Sequence, residues 1–171
     1  LKLMCDHLQP TKGSITRHPH LRLGRYHQHS TDQLDLSLCG IEYLQKLFGG
    51  ETKEWRSRLG QFGITGNDQT VPMRNLSDGQ RARIVFCELA SRGPNVLLLD
   101  EPTNALDIEC IDSLAEAIKS YQGGVVLVSH DFRLIDQVTD EIWVCENKQV
   151  TVWKGDIRSY KKHLQMAVLG K

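Results

Sequence analysis

Two short, almost wholly apolar segments constrain the fold of this chain more than any other feature. Residues 95–100 (NVLLLD) and 125–129 (VVLVS) lack the polar alternation of a half-solvated strand, so each is typical of a strand buried on both faces. Between them, apolar residues recur at helical spacing: Ile108, Ile111, Ala115 and Ile118. Buried strands that alternate with helices indicate an α/β fold with a parallel sheet.

The composition is that of an ordinary globular domain. Hydrophobic residues make up 40% of the 171 residues and charged residues 25%, and 21 Lys+Arg balance 21 Asp+Glu. A disordered tail would carry fewer aliphatic residues and a larger net charge, and no apolar stretch approaches the ~18 residues of a membrane span. Both ends are basic and the middle is acidic. Basic ends suit a phosphate-rich partner, although solvated faces produce this pattern more often.

The cysteines and the first residues bear on the cellular compartment of the chain. The cysteines are odd in number and widely spaced without a CxxC pair, which predicts reduced thiols in a cytosolic protein: Cys5, Cys39, Cys87, Cys110 and Cys145. The opening LKLMCDHLQP lacks the apolar core of a signal peptide. Residues 1–8 are instead typical of the tail of an apolar helix, so we expect the chain to be a fragment.

Local patterns predict the remaining elements. These are a strand, two helices, a hairpin and a basic helix, over residues 21–27, 38–48, 55–62, 141–153 and 160–164. In the hairpin, Trp143 and Trp153 alternate with apolar residues, so we expect both in its core.

The segment richest in chemistry is residues 97–107, LLLDEPTNALD. Asp100 and Glu101 follow a buried strand, where α/β folds place ligand sites. Adjacent carboxylates are costly unless a cation or proton shares them, and Mg²⁺ takes one or two carboxylates plus substrate phosphates. Asp100 would then hold metal-bound water, and Glu101 would orient or deprotonate an attacking water. Taken alone, such a pair is better explained as a solvated strand end.

Two further elements favour a nucleotide site. Ser77 and Gln80 form an S-x-x-Q capping box at a helix N-terminus, whose free amides and dipole attract an anion. A plain capping box has no need of Gly79, which lets a phosphate approach the backbone. His130 follows the second buried strand, where its side chain can reach a γ-phosphate. A lone histidine there is most often structural, but the order of the three elements is hard to obtain by chance.

The combination of five motifs resembles that of the ATP-binding cassette (ABC) ATPases. LSDGQ resembles the signature motif, NVLLLDE the Walker B strand, NALD the D-loop and SHD the switch histidine, and Gln28 falls where the Q-loop glutamine is expected. DEPTN, VSHDFRLI and the ending WKGDIRSYKKHL resemble the F subfamily, soluble paired-cassette proteins associated with ribosomes and translation. The resemblance covers nearly the whole chain and fits the second cassette of such a protein.

The resemblance implies a P-loop NTPase-like parallel sheet with a helical signature subdomain, forming a partial ABC cassette. The implied parts are a post-P-loop helix and Q-loop region, a helical subdomain with the signature helix, a core with Walker B, D-loop and switch histidine, and a C-terminal hairpin with a basic helix. They span residues 1–29, 30–92, 93–140 and 141–171.

The resemblance also implies ATP and Mg²⁺ as ligands and assigns roles residue by residue. Asp100 and Gln28 are implied for Mg²⁺, while Glu101 is the general base and His130 contacts the γ-phosphate. Cassettes of this family pair head to tail, with each ATP between one P-loop and the partner's signature. The implied nucleotide-binding residues are Gln28, Ser77, Asp78, Gly79, Gln80 and Asp107.

Three departures from the family pattern carry information. Asp78 stands where the family commonly has Gly; aspartate suits the first turn of a helix, but its charge near a γ-phosphate would weaken binding. Ala105 stands where the F subfamily usually has His, at a contact surface. The phosphate-binding pattern GxxxxGK[ST] is absent.

We expect truncation to explain that absence, because in the family the P-loop immediately precedes the segment at residues 1–8. The 171-residue chain alone should then hydrolyse ATP negligibly, although its parent is an ATPase. The family also places the P-loop strand inside the sheet, so its loss would expose unpaired backbone and apolar faces.

The predicted function is ATP binding and hydrolysis in a cytoplasmic, ribosome-associated protein, with a second cassette and ribosomal RNA as partners and no membrane. Two alternatives stay open. One is the nucleotide-binding subunit of a membrane transporter, against which DEPTN and the charged C-terminus argue. The other is a non-catalytic interaction cassette, which ATP-independent ribosome binding would favour.

Two further clusters have a functional and a plainer interpretation. Four histidines could suggest zinc, and each pair shares strand parity: His18 with His20, and His27 with His29. Zinc ligands should point to one side and be matched by Cys or carboxylates, so we favour the interpretation without a metal. The basic tail is either a solvated helix face or, slightly favoured, a contact with ribosomal RNA: Lys154, Arg158, Lys161 and Lys162.

Overall fold

The computed structural model describes residues 1–27, 29–104 and 106–169. Three parallel strands form the central sheet in the order β1-β2-β3: Leu23–Tyr26, Val96–Asp100 and Gly124–Val128. The predicted parallel α/β sheet is confirmed. Because the strands are parallel, their carboxyl ends lie along one edge, where α/β folds bind ligands.

A helical subdomain is inserted between the neighbouring strands β1 and β2. It contains α1, α2 and α3, which are Gly40–Phe48, Thr52–Gln61 and Asp78–Ser91. A short 3₁₀ turn at Ser30–Gln33 precedes α1, and two more, Gly66–Gln69 and Met73–Asn75, lie between α2 and α3. Apolar side chains from all three helices and their connections are fully buried in a shared core, including Leu44, Leu59, Ile64, Met73 and Ile84.

The second half of the chain adds helices and a hairpin. The helices α4 (Ile108–Ser120) and α5 (Phe132–Val138) follow β2 and β3. The predicted hairpin is confirmed and is followed by a terminal helix: β4, β5 and α6 are Ile142–Glu146, Gln149–Trp153 and Ile157–Leu169. Among the helices of the described ranges, none has the length and apolarity needed to cross a bilayer.

The helix expected over residues 1–8 is wrong. The segment forms hydrogen-bonded turns, in which the amide of Cys5 donates to the carbonyl oxygen of Leu1 at 3.1 Å. Asp6 has φ +59°, a left-handed conformation that interrupts a right-handed helix. So short a segment is marginal as a helix unless tertiary packing supports it.

Burial of β3 on both faces is also wrong. Val128 is 43% exposed, and the middle of the strand is half-buried. Within the described residues β3 pairs with β2 along one edge, and its other edge carries no strand. The apolar composition of the strand is therefore not matched by its surroundings.

The two tryptophans of the hairpin have different environments. Trp153 is half-buried and packs edge-on against Tyr160 of α6, with ring centroids 5.3 Å apart. Trp143 is 56% exposed and lies on one face with Val150 and Val152, which are 61% and 55% exposed. The expectation that Trp143 lies in the hairpin core is therefore wrong.

Candidate functional site

The carboxyl edge of the sheet brings three chain segments together. His27 follows β1, Asp100 ends β2 with Glu101 after it, and His130 comes two residues after β3. The amide of Glu101 donates to the carbonyl oxygen of Val128 at 2.8 Å, which holds the two strand ends together. Three segments separated by 29 or more residues in sequence therefore line one edge.

Glu101 and His130 form a direct pair at this edge. Glu101 Oε1 lies 3.3 Å from His130 Nε2, and the His130 amide donates to Glu101 Oε2 at 3.3 Å. The Glu101 side chain is 15% exposed, whereas the His130 side chain is 96% exposed. A sheltered carboxylate is thus held by an imidazole that is open to solvent and free to meet a ligand.

The backbone of Glu101 is itself unusual. Its φ is +50°, a left-handed conformation that costs a non-glycine residue of order 1 kcal/mol or more. Pro102 follows it and is fully buried. Such strain persists only where the surroundings determine it, and here it turns the carboxylate of Glu101 toward His130.

Asp100 lies close enough to His27 to influence its titration. Burial lowers the pKa of His27, the charges of Arg25 and His29 lower it further, and Asp100 opposes them. The His27 ring is also held in place, because its Nδ1 accepts from the amide of His29 at 3.2 Å. Sequence reasoning grouped His27 with the other histidines and missed its position beside Asp100. The predicted Q-loop residue Gln28 lies outside the described residues, as does Ala105.

The signature segment lies at the N-terminus of α3. The predicted capping box is confirmed: Gln80 N donates to Ser77 Oγ at 3.2 Å, and Ser77 N donates to Gln80 Oε1 at 2.9 Å. Gln80 Nε2 also donates to Asp68 Oδ2 at 2.7 Å. The Gln80 side chain is therefore held inside the subdomain, while Ser77 Oγ and the first-turn amide of Gly79 remain at the helix end. No sequence pattern singled out Asp68, because it acts through a contact between separate turns.

The charge of Asp78 is balanced locally. Asp78 Oδ1 accepts from Arg81 Nη2, three residues along the same helix. The Asp78 side chain is 73% exposed and the Arg81 side chain is 20% exposed. The aspartate that departs from the family pattern thus stands beside a guanidinium.

Asp107 caps α4. Its Oδ1 accepts from the amide of Cys110 at 2.8 Å. Hydrogen bonding from the Cys110 thiol and then from this amide lowers the pKa of the Asp107 carboxyl. Its other oxygen lies 3.9 Å from Arg83 Nη2, and Arg83 Nη1 donates to the carbonyl oxygen of Gly63 at 3.3 Å. Arg83 therefore connects the signature helix to the segment that follows Glu101, a link that sequence reasoning missed.

The residues at the sheet edge fit a magnesium nucleotide in their chemistry. Within the part of the chain that the structure describes, no group of three or more Cys, His, Asp or Glu side chains could hold a metal by itself. Asp100 and Glu101 offer carboxylate oxygens, and Mg²⁺ usually completes its shell with phosphates and water rather than with a protein cage. The histidine cluster makes contacts within itself, with His18 Nδ1 accepting from the amide of His20 at 3.2 Å.

A parallel sheet with an acidic pair at its carboxyl edge, joined to a helical subdomain with a capped signature helix, is the architecture of a nucleotide-binding cassette. The family model described as ABC transporter matches residues 1–104. The chain belongs to the ABC transporter family.

Its relatives within that family are members of the F subfamily. The chain is 52% identical to ATP-binding cassette sub-family F member 2 of Bos taurus, over 100% of the chain and 28% of that protein. It is 53% identical to ABC transporter F family member 2 of Dictyostelium discoideum, over 96% of the chain and 28% of the relative. It is 51% identical to ABC transporter ATP-binding protein ARB1 of Saccharomyces cerevisiae, over 99% of the chain and 28% of the relative. The chain thus spans little more than a quarter of the length of these relatives.

Solved structures agree in fold. The dimeric structure of a post-hydrolysis state of the ATP-binding cassette MJ0796, bound to ADP and Pi, has a TM-score of 0.62 at 19% identity and covers 79% of this chain and 64% of its own. A second dimeric structure of MJ0796, a bacterial ABC transporter cassette, has a TM-score of 0.57 at 23% identity. The match covers 67% of this chain and 54% of the MJ0796 chain. The predicted cassette fold is therefore confirmed.

Proposed function

We propose that this chain is part of an ATPase of the F subfamily and that the Glu101–His130 pair activates water at its own nucleotide. The observation that carries the proposal is the pair itself, a sheltered carboxylate 3.3 Å from an exposed imidazole at the carboxyl edge of a parallel sheet. A carboxylate held in this way can accept a proton from water, and a solvent-facing imidazole can reach a phosphate.

The chemistry divides among the residues of the edge. Glu101 orients the attacking water and takes its proton, and His130 fixes the Glu101 carboxylate and contacts the γ-phosphate. Asp100 and Gln28 would hold Mg²⁺ or its bound water. When bound, Mg²⁺ supplies charge neutralisation at the phosphate oxygens.

The signature end of α3 serves a second nucleotide, held by a facing cassette. Ser77, Gly79 and Asp78 lie at a helix N-terminus, where amides and the helix dipole favour an anion. Gln80 contributes by holding Ser77, because its side chain is used within the subdomain. Asp107 contributes from the cap of α4. The dimeric cassettes among the structural neighbours support such pairing.

The proposed setting is cytoplasmic, at the ribosome. The relatives belong to the F subfamily. Contacts of the C-terminal helix α6 reduce the number of its cations that are available for RNA. Arg158 pairs with Asp136 of α5 at 2.7 Å, and Lys161 lies over the Phe132 ring at 5.1 Å. Lys154 and Lys162 are therefore the stronger candidates for contact with RNA phosphates.

The test is the substitution Glu101→Gln in the complete protein that carries this chain. Because glutamine keeps the size of the side chain but accepts no proton from water, turnover at this nucleotide should fall by a factor of about 10²–10⁴ while ATP still binds. Steady-state phosphate release and binding of a fluorescent ATP analogue measure the two effects.

Glu109→Gln is the matched control, since Glu109 is an exposed acid at the start of α4. It should leave phosphate release unchanged. Equal turnover in wild type and Glu101→Gln, measured in a protein whose other cassette has been inactivated by mutation, would contradict the proposal.

A further inference from the structure

The signature segment of this chain contains an acid where a phosphate is proposed to bind. Asp78 is the first residue of α3, and its side chain is 73% exposed. An uncompensated carboxylate at that place would repel the phosphates of a facing nucleotide, since like charges a few ångströms apart interact strongly near a protein surface. A second carboxylate, Asp68, lies nearby and accepts from Gln80 Nε2 at 2.7 Å.

Two arginines follow on the same helix and have different surroundings. Arg81 contacts the Asp78 carboxylate, and its own side chain is 20% exposed, so most of its stem is packed. Arg83 is engaged elsewhere, with the carbonyl oxygen of Gly63 at 3.3 Å and with Asp107 at 3.9 Å. The positive charge at the signature end of the helix therefore comes from Arg81 together with the helix dipole.

We propose that Arg81 is a positioning residue for the facing nucleotide: it balances and orients the Asp78 carboxylate so that Ser77 and Gly79 can receive a phosphate. The inference rests on the proposed function of the signature end. Arg81 acts through Asp78, so its importance depends on the acid being there. Exposed pairs at this spacing contribute little to folding stability, so loss of Arg81 should affect nucleotide use rather than folding.

The experiment is a double-mutant cycle in the complete protein. Arg81→Gln, Asp78→Gly and the double variant are compared with wild type for the KM for ATP and for kcat, at low and high salt. We expect Arg81→Gln to raise the KM about three- to tenfold at low salt and less at high salt, because screening weakens repulsion between exposed charges. In the Asp78→Gly background, the same substitution should raise the KM by less than about twofold, because the carboxylate on which Arg81 acts is gone.

Two variants separate positioning from general structure. Arg81→Lys keeps the charge and should restore most of the wild-type KM. Lys119→Gln removes the cation of an exposed pair of the same spacing on α4, 3.1 Å from Glu116, and should leave the KM unchanged.

The outcomes separate the two proposals. If Glu101→Gln releases phosphate as fast as the wild type, the proposed function itself is overturned. Wild-type turnover combined with an unchanged KM in Arg81→Gln, or with equal increases in both backgrounds, would overturn the role of Arg81 and leave the proposed function standing.

Discussion

At the scale of single residues, the main observation is that Glu101 contacts His130 while its backbone is in an unfavourable left-handed conformation. Its φ of +50° places the carboxylate within 3.3 Å of two atoms of His130. The sequence predicted both residues from their place after apolar strands. It could not predict their contact, because the contact depends on the hydrogen bond between Glu101 and Val128 that joins two strands.

The cysteines allow a residue-scale prediction about reactivity. Burial raises the pKa of the Cys87 thiol to about 11, and Cys87 is fully buried, whereas Cys145 is exposed. Because the thiolate is the nucleophile, an alkylating agent at pH 8 should label Cys145 and leave Cys87 unmodified in the folded protein. Peptide mass spectrometry after labelling measures this.

Labelling of the same protein in denaturant is the control and should modify Cys87 as fast as Cys145. Rapid labelling of Cys87 under native conditions would contradict the packing of α3 described above.

At the scale of elements, features that depend on neighbouring residues were predicted well from the sequence, whereas the exposure of side chains was not. The capping box of Ser77 and Gln80 and the strand β2 follow from neighbouring residues, so the sequence contains all that is needed. Exposure of Val128 and Trp143 depends on which segments lie beside them, and the apolar pattern alone suggested burial. Links such as Gln80 to Asp68 join turns that no periodicity relates.

Two glycines give opposite predictions for the same substitution. A Cβ on Gly123, just before β3, would lie 2.4 Å from the carbonyl oxygen of Asn95, a backbone atom that cannot move cheaply. Gly123→Ala should therefore lower the free energy of unfolding by about 1–3 kcal/mol. Gly60 lies within α2 with nothing within 4 Å of an added Cβ, so Gly60→Ala should raise that free energy by ~0.5–1 kcal/mol.

Urea denaturation of both variants beside wild type measures the two shifts. Stabilisation by Gly123→Ala, or clear destabilisation by Gly60→Ala, would show that the packing at that element differs from the structure.

At the scale of the whole molecule, two of the exposed apolar areas among the described residues lie on strands. One is the outer part of β3 at Val128, and the other is the hairpin face formed by Trp143, Val150 and Val152. Exposed strand edges and contiguous apolar faces favour association between copies. We therefore expect the isolated chain to self-associate as its concentration rises.

Val150→Lys should reduce that association, because a charge at the centre of the hairpin face is costly to bury. Gln149→Lys adds the same charge at the neighbouring position, which points to the opposite face of the hairpin, and should have a smaller effect. Light scattering across a concentration series compares the two. Equal association of both variants would mean that copies meet through another surface.

The insertion of the helical subdomain between β1 and β2 has a consequence for how the protein folds. The amide of Arg22 donates to Asn95 Oδ1 at 2.8 Å across 73 positions of sequence, so the first two strands meet only after a long loop has closed. Closing such a loop costs chain entropy before any strand contact repays it, and folding slows as contacts become more distant in sequence. A subdomain that forms its own core first would shorten the loop that remains to be closed. The signature helix would then be among the earliest parts of the molecule to take shape, and the carboxyl edge of the sheet among the last.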